Sequence, residues 1–328
     1  MGQHSTVPVG CRFAYGHGVR VLLALGGNAM TGPDGQAAPA DQAAAISTAM
    51  DRVADLIAAG HDVVLTHGNG PQVGNLLVKN EMAAAVVPPV PLDWCVAQTQ
   101  GSIGFLVLGA LERSLAARGL RRPAAALVTR TLVDGTDAGF TSPSKPVGRY
   151  LPAEQAAVLV GHGQTWQDRG TKGWRRVVAS PEPLEILDAE AAVALVAAGY
   201  VVVSTGGGGI PCVRGADGSV TGVEAVVDKD LAAGLLARAV SADALVIATD
   251  VPHVATGFGT PHQRALEQVE VTELRALAAH GEFTAGSMGP KVEAACRFVE
   301  AGGRYAAICA LDHIAEAAHG RSGTVVRA

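Results

Sequence analysis

The chain has 328 residues, enough for one large domain or two ordinary ones, and 48% of them are hydrophobic, so it can bury a sizeable core. Its net charge of −5, without any basic block, argues against a general nucleic-acid-binding protein. No apolar run is expected to span a membrane, and the five cysteines show no paired spacing typical of a zinc site or a disulfide framework. These features predict a cytoplasmic protein with neither a membrane nor a nucleic-acid partner.

The N-terminal half begins with residues 1–18, which lack the apolar core of a signal peptide and are predicted to form a poorly ordered extension. Strands and helices then alternate. Strands are predicted over 20–27, 62–66 and 124–131, and helices over 39–59 and 94–115. This alternation predicts a mostly parallel sheet that is covered by helices on both faces.

Residues 133–180 differ in character, because they are polar, rich in glycine, proline and serine, and without clear periodicity. A segment of this length is usually functional or disordered. Trp166 and Trp174 fall within it and favour packed structure. We therefore predict a small protruding subdomain, or lid, that is inserted into the main fold.

The C-terminal half, 181–328, returns to the alternating pattern. Helices are predicted over 188–198, 231–239 and 290–301, and strands over 201–205, 244–249 and 306–310. Asp250 closes the second of these strands. Asp228 or Asp230 is expected near the start of the helix before it, where carboxylates are favoured.

Four consecutive glycines, 206–209, follow the β-branched run 201–203. Glycines at the end of a buried strand let a phosphate approach the backbone, and successive N–H groups can bind an anion. A flexible turn is the alternative interpretation. Two further glycine turns, at 26–27 and 68–74, follow predicted strands, so all three are expected on the carboxyl edge of one sheet, where open α/β folds bind ligands.

Lysine is rare in this chain, since only five of the 25 basic residues are lysines. Lys145, Lys229 and Lys291 fall within glycine- or proline-bearing motifs. Cations and backbone donors are what a phosphoryl-transfer site needs most. A P-loop is excluded because no Gly-Lys pair occurs, and a dinucleotide fingerprint starting at Gly206 fails because Pro211 stands where it needs glycine.

Seven motifs, in order along the chain, carry a resemblance to a known family. They are ALGGNAM (24–30), HGNGPQVGN (67–75), QTQG (98–101), SKPVG (144–148), GGGGIP (206–211), GVEAVVDKDLA (222–232) and GSMGPKVEAA (286–295). Together they resemble the carbamate kinase branch of the amino acid kinase family, from about residue 19 to the C-terminus. The resemblance implies a three-layer α/β/α sandwich and a homodimer, with the substrate towards the N-terminal half and the nucleotide towards 181–328.

The implied reaction is the reversible transfer of a phosphoryl group between ATP and carbamate, which gives ADP and carbamoyl phosphate. Mg²⁺ would accompany ATP or ADP and be held through the nucleotide phosphates, without protein ligands. Similar enzymes serve arginine metabolism and often run towards ATP. Carbamate is already an oxyanion, so no general base is required, and His67 is interpreted as structural.

The resemblance also implies roles for individual residues. The catalytic residues would be Lys145, Lys229, Lys291 and Asp230. The substrate and phosphates would be held by Gly26, Gly27, Asn28, Gly68, Asn69, Gly70, Gly206, Gly207, Gly208 and Gly209. The nucleotide would be bound by Asp228, Lys229, Asp250, Met288, Gly289 and Lys291.

The chain departs from the family pattern in the segment 252–260, near the adenine end of the implied nucleotide site. Ala255, Gly257 and Thr260 stand where tyrosine, asparagine and lysine are expected. We therefore predict weaker ATP binding than in typical relatives. Ala24 stands where many other members of the wider family carry a lysine, and this agrees with the carbamate kinase branch.

Two alternatives remain open. One is a related kinase that acts on another small carboxylate or carbamate. The other is a nucleotide-binding regulatory protein without turnover, which the altered 252–260 segment would suit.

Overall fold

A computed structural model describes residues 18–31, 38–284 and 287–328. The predicted extension, 1–18, lies outside the described residues apart from Gly18, as does Gly286 of the last motif. In chain order, the strands are β1 (Arg20–Leu25), β2 (Asp62–His67), β3 (Ala124–Ala126), β4 (Arg130–Val133), β5 (Lys145–Leu151), β6 (Thr165–Asp168), β7 (Trp174–Val178), β8 (Pro183–Ile186), β9 (Val201–Val203), β10 (Ile210–Arg214), β11 (Val220–Gly222), β12 (Ala244–Thr249), β13 (Val254–Thr256), β14 (Arg264–Leu266), β15 (Gln268–Glu270), β16 (Tyr305–Ala310) and β17 (Thr324–Arg327). The helices are α1 (Pro39–Ala58), α2 (Gly70–Ala83), α3 (Leu92–Ala117), α4 (Ala138–Thr141), α5 (Ala153–Gly161), α6 (Ala189–Ala197), α7 (Lys229–Ala239), α8 (Val271–Ala279), α9 (Met288–Glu300) and α10 (Ile314–Ala317).

The largest sheet in the described part of the chain has eight strands, in the order β15-β17-β16-β12-β1-β2-β9-β3. All neighbouring pairs are parallel except β16 with β17. Along β1 the side chains alternate between two cores. Leu23 packs with residues of α1, α3 and α10, whereas Leu22 packs with residues of α6, α7, α8 and α9. The fold is therefore the predicted three-layer α/β/α sandwich around a mostly parallel sheet.

Among the described residues, helix α3 is the one helix with the length and composition of a membrane span. It has 26 residues and is long and apolar enough to cross a membrane, judged by length and composition alone. Half of its most apolar window is buried inside the fold, where Ile103, Val107 and Leu111 pack in the first core. The core helix of a globular domain passes the same test, and these contacts give that reason for its hydrophobicity.

The predicted strand over 124–131 was wrong, because the structure divides it between two sheets. β3 pairs with β9 in the main sheet, while β4 pairs with β8 and β10 in a four-stranded sheet of the described residues. Between them, the backbone N–H of Thr129 donates to the Gln100 side chain (2.8 Å) and not to a strand. The last predicted strand was also not the end of the sheet, since β17 follows β16 and pairs with it antiparallel.

The inserted segment has packed structure of its own. β5, β7 and β6 form an antiparallel sheet, and α5 covers it. Leu151, Ala156 and Trp166 form a small core, against which Trp174 packs. The two tryptophans thus supply apolar area to a segment that is otherwise polar, as expected.

Candidate active site

The three predicted glycine turns and Asp250 lie side by side on the main sheet. The neighbouring parallel strands β12, β1, β2 and β9 end, respectively, at Asp250 and at the glycine turns 26–27, 68–70 and 206–209. Because parallel strands end at the same edge, the turns lie together at the edge that borders the ligand crevice in open α/β sheets. A side chain at position 68 would contact the backbone of Gly27 and the side chain of Lys229, so the turns are close together.

The glycine turn 206–209 is packed tightly against protein. A Cβ atom at Gly206 would overlap the His67 ring, and one at Gly207 would overlap the Asn69 side chain. Beyond them, a Cβ at Gly208 would meet the Val227 carbonyl, and one at Gly209 would meet the Thr131 side chain. The sequence suggested that these glycines leave room for a phosphate, but the structure shows that the Cβ directions are filled by other residues.

The turn nevertheless presents backbone donors. The N–H groups of Gly208 and Gly209 donate within the turn, to the carbonyls of Thr205 and Gly206. Those of Gly206 and Gly207 make no hydrogen bond with the described part of the chain. Both residues are buried, and a buried N–H without a partner is costly. An anion bound at the turn would supply the missing acceptor.

Side chains from α3 and β4 hold this turn in place. Gln100 donates to the carbonyls of Gly206 (2.9 Å) and Thr129 (3.1 Å), and Asn69 donates to Thr99 (2.9 Å). Thr131 donates to the Gly208 carbonyl (2.8 Å). Sequence reasoning assigned no role to Gln100, Thr129 or Thr131, although the QTQG motif containing Gln100 was a signal that could have found one of them.

Two lysines meet on one buried carboxylate. Lys229, the first residue of α7, pairs with Asp230 Oδ1, and Lys291 of α9 pairs with Asp230 Oδ2 (3.1 Å). Asp230 is only 3% exposed. Burial raises the pKa of this carboxyl, but the charges of Lys229 and Lys291 outweigh that effect and hold the pKa below its usual value. The group is one anion between two cations, with a net positive charge.

The third lysine comes from the inserted segment. Lys145 Nζ lies 2.9 Å from Asp228 Oδ2, and 28% of the Lys145 side chain is exposed. Asp228 also caps α7, because its Oδ1 accepts the N–H of Asp230 (2.9 Å). One carboxylate therefore joins the segment to the start of the helix that carries the Lys229–Asp230 pair. The structure brings all three predicted lysines together. Lys291 lies in the helix predicted over 290–301, and α7 begins at Lys229, two residues before its predicted start.

Helix α2 supports the strand that carries Lys145. The backbones of Gly74 and Gly148 pack so closely that a Cβ at Gly74 would lie 3.5 Å from Gly148 Cα. Gly148 has a φ of +68°, a conformation that favours glycine. Val73 and Val147 pack beside them in a shared apolar cluster. The inserted segment thus packs against the N-terminal half of the fold.

His67 is buried behind the glycine turn. Its Nδ1 lies 2.9 Å from the Gly68 carbonyl. Burial is the main cause that lowers the pKa of His67 to about 4. The hydrogen bond to Gly68 partly opposes this shift, and the charge of Lys229 adds to it. The ring is neutral at pH 7 and forms the wall behind Gly206, as expected for a structural residue.

Known proteins are similar to this chain over most of its length. The model of the amino acid kinase family matches residues 19–310. The carbamate kinase of Thermococcus kodakarensis is 44% identical over 94% of this chain and 98% of its own length. The chain belongs to the amino acid kinase family.

Two further members of the amino acid kinase family bear on the choice of substrate. The Escherichia coli carbamate kinase-like protein YqeA is 42% identical, over 94% of this chain and 98% of its own length. The solved structure of Giardia lamblia carbamate kinase bound to AMP-PNP is 39% identical, with a TM-score of 0.89 over 94% of this chain and 98% of that chain. Relatives named for the kinase and relatives named only as similar to it are therefore about equally close.

The remaining predicted residues occupy the same edge with fewer described contacts. Asp250 is exposed and accepts a hydrogen bond from Thr249 (3.0 Å). Met288 and Gly289 form the first turn of α9, and Met288 packs against the second core. Asn28 lies in a short 3₁₀ turn after β1, and its side chain lies outside the described residues.

The segment that departs from the amino acid kinase family pattern forms a hairpin tip. β13 and β14 pair antiparallel, and Phe258 at the tip is 69% exposed. Gly257 has a φ of +58°, which both glycine and asparagine tolerate. Glycine here can thus keep a backbone that asparagine would also adopt, and what the chain lacks is the side chain.

Proposed function

We propose that this protein is a carbamate kinase, which transfers a phosphoryl group reversibly between ATP and carbamate to give ADP and carbamoyl phosphate. The observation that carries the proposal is the position of Lys145, Lys229 and Lys291 beside a buried glycine turn, two of whose N–H groups have no acceptor among the described residues. The names of the relatives point to the same reaction. As in some similar enzymes, we propose that the protein works mainly towards ATP, in arginine metabolism.

The reaction needs charge neutralisation more than proton transfer. A carbamate oxygen attacks the terminal phosphorus of ATP, a new P–O bond forms, and the bond to the ADP oxygen breaks with its electron pair. No proton has to move in this step, so the neutral, buried His67 is not required as a base. Two anions must approach each other, and fixed cations and N–H groups lower that electrostatic barrier.

Each lysine receives a role from its position. Lys145, on the inserted segment, would contact the transferring phosphoryl group, and Lys229 and Lys291 would neutralise the nucleotide phosphates. Asp230 would hold both of the latter lysines, while Asp228 would release Lys145 to the substrate as the segment closes. Lys145 suits that exchange because it is the most exposed of the three.

The other predicted residues would line the two ends of the crevice. Substrate and phosphates would lie against the turns of Gly26, Gly27, Asn28, Gly68, Asn69, Gly70 and Gly206 to Gly209. The nucleotide would extend towards Asp228, Asp250, Met288 and Gly289. Mg²⁺ would neutralise phosphate charge when bound. Asp228 and Asp230 are already engaged by lysines, so the ion would be held through the nucleotide phosphates.

We also propose that the protein is a cytoplasmic homodimer. Trp94, Phe105 and Val128 are at least 60% exposed, and exposed large apolar side chains of this kind suit a subunit interface. Trp94 and Phe105 belong to α3, and Val128 follows β3, a strand at the end of the main sheet. Sedimentation of wild type and Phe105→Glu would test this, since a dimer held here should dissociate in the variant.

The decisive experiment is ATP formation from carbamoyl phosphate and Mg-ADP. Wild type should be active, and Lys145→Met should lose about 10²–10³-fold in kcat, which is typical when one group that stabilises the transition state is removed. Lys172→Met is the matched control, because Lys172 is exposed in the same inserted segment and forms no ion pair within the described residues. Lys229→Ala should also collapse the activity.

A second candidate is a kinase of another small carboxylate or carbamate, since a relative named only as carbamate kinase-like is 42% identical. A screen of carboxylate acceptors with ATP separates the two. Suppose that wild type binds ADP, forms no ATP from carbamoyl phosphate, and phosphorylates a different acceptor. That result would exclude carbamate as its substrate. Binding of ADP without turnover of any acceptor would indicate the regulatory alternative.

Nucleotide affinity remains a separate prediction. We expect a higher Kd for ATP than in typical relatives, because the hairpin 252–260 lacks the expected tyrosine, asparagine and lysine side chains. Calorimetric titration with ATP and Mg²⁺ measures it. A Kd equal to that of a relative with the usual segment, measured in parallel, would refute this prediction and leave the proposed reaction untouched.

A further inference from the structure

A pair of histidines lies away from the lysine cluster, where the N-terminal part of the chain meets its C-terminal end. His61 immediately precedes β2, and His319 follows α10. Their Nε2 atoms are 3.4 Å apart, and their ring centroids are 4.8 Å apart at an interplanar angle of 60°. The amino acid kinase reaction proposed above uses neither residue.

One ring has its proton placed by the backbone. His61 Nδ1 lies 3.3 Å from the Val19 carbonyl, which can only accept a hydrogen bond. In its neutral form, His61 therefore carries its proton on Nδ1 and presents an unprotonated Nε2 to His319. Metal-bound histidines are held in this way, because the second ring nitrogen donates to a carbonyl and fixes the tautomer.

The separation of the two nitrogens matches a metal chelate. Zn²⁺ binds histidine nitrogen at about 2.0–2.1 Å, and two nitrogens on one tetrahedral ion then lie about 3.3–3.4 Å apart. A hydrogen bond from the Nε2–H of His319 to His61 Nε2 is also compatible with this distance, and metal binding would replace it.

We propose that His61 and His319 form a binding site for a tetrahedral transition-metal ion of the Zn²⁺ class, with both Nε2 atoms as ligands. His319 would carry its proton on Nδ1 in this state, so the metal would enter without net proton release from the pair. Among the described residues, no group of three or more histidine, cysteine or acidic side chains could hold a metal, so water would complete the coordination. Mg²⁺ prefers oxygen ligands and would not compete.

The surroundings suit such a site. His61 is only 2% exposed, whereas His319 faces solvent and leaves a path for the ion and its waters. The turn that carries His319 is fixed by backbone hydrogen bonds, including that from its own N–H to Glu316 (3.0 Å).

The bound ion would act as a cross-link. It would join the start of β2 to the turn between α10 and β17, two positions 258 residues apart in sequence. A ligand that binds only the folded state stabilises it by mass action. The expected consequence is therefore higher stability of the fold, and not a change in phosphoryl transfer.

Calorimetric titration of the full chain with ZnCl₂, without nucleotide, tests the site. Wild type should bind one equivalent, and His319→Ala should bind at least tenfold more weakly. The variant should fold and retain phosphoryl-transfer activity, because His319 is exposed and lies outside the lysine cluster. At a zinc concentration about 100 times the Kd, wild type should show a rise in Tm of about 2 °C or more that His319→Ala lacks.

Two further variants exclude other histidines. His280→Ala removes an exposed histidine at the end of α8 and should bind zinc like wild type. His17→Ala removes a histidine near Val19 in sequence and should do the same. Equal binding by wild type and His319→Ala would overturn the proposal, as would binding that His17→Ala abolishes or the absence of zinc binding by wild type.

Discussion

Asp228 and Asp230 are two residues apart in sequence, yet they belong to different parts of the candidate site. Asp230 is almost completely buried and holds Lys229 and Lys291, both of them on helices of the C-terminal half. Asp228 is more exposed, caps α7, and holds Lys145 from the inserted segment. The inner carboxylate joins two helices that pack against each other, α7 and α9, and the outer one joins the inserted segment to the start of α7.

This difference indicates how charge is organised before substrate arrives. The inner group, Asp230 with its two lysines, keeps its cations in place by burial and cannot easily exchange partners, because an unpaired buried charge is costly. The outer pair is closer to solvent, where ion pairs contribute little to stability, and can exchange a carboxylate for a phosphate. We interpret the inner group as the fixed part of the site and Lys145 as its movable part.

The largest expected effect is on stability when the inner charge is removed. Asp230→Asn should lower the free energy of unfolding by about 4 kcal/mol, because it leaves two largely buried lysines without their counter-ion. Asp228→Asn is the matched control and should cost less than about 1 kcal/mol, since asparagine still caps α7 and the Lys145 pair is partly exposed. Urea unfolding at pH 7 measures both. Equal losses in the two variants would contradict the division into inner and outer parts.

The second expected effect is a loss of stability at acid pH. The pKa of His67 is about 4 in the folded protein, against 6.5 for an unperturbed histidine. The unfolded chain therefore binds a proton more readily. The free energy of unfolding is highest above about pH 6.5 and decreases as the pH falls from about 6.5 to about 4. The change amounts to about 3 kcal/mol.

Replacing the histidine tests this directly. His67→Gln cannot titrate in this range and can still donate to the Gly68 carbonyl, so its stability should vary less between pH 7 and pH 4.5 than that of wild type. Urea unfolding at both values gives the comparison. If the stability of both proteins varies with pH to the same extent, the neutral His67 is not the cause of the pH dependence.

The smallest expected effect is again on stability. It distinguishes a glycine that is required for packing from one that is predicted to contact the ligand. Gly207→Ala should cost about 2 kcal/mol, because φ is +67° there and the new Cβ would displace Asn69. Gly70→Ala is the control, since a Cβ there meets nothing within 4 Å and alanine favours the helix that begins at this residue. Thermal unfolding measures both.

Activity assays of the same two variants sharpen the comparison. Gly70→Ala should keep the fold, so any loss of phosphoryl transfer in it would report on contact with the ligand. Full activity in Gly70→Ala would remove Gly70 from the proposed phosphate-binding residues. A stable Gly207→Ala would show that the turn is less constrained than its packing indicates.

Much of the fold was predictable because local patterns carry it. The strand 244–249 and the helix starting at Pro39 were predicted with their observed starts, since buried strands and amphipathic helices leave clear periodicities. The division of 124–131 was missed because Gln100, 29 residues away, accepts the Thr129 N–H. β17 was missed because a strand of four residues has too little pattern to recognise.

The candidate site shows the same limit. The motifs of the sequence were sufficient to choose the three lysines, the glycine turns and the amino acid kinase family, because these depend on residue type and order. Tertiary structure alone decided that Asp230 is the buried partner of Lys229 and Lys291, and that His67, Asn69 and Thr131 fill the space beside the glycines. It also placed His61 against His319. Such relations join residues from distant parts of the chain, and the free energy of burial depends on which of them become neighbours.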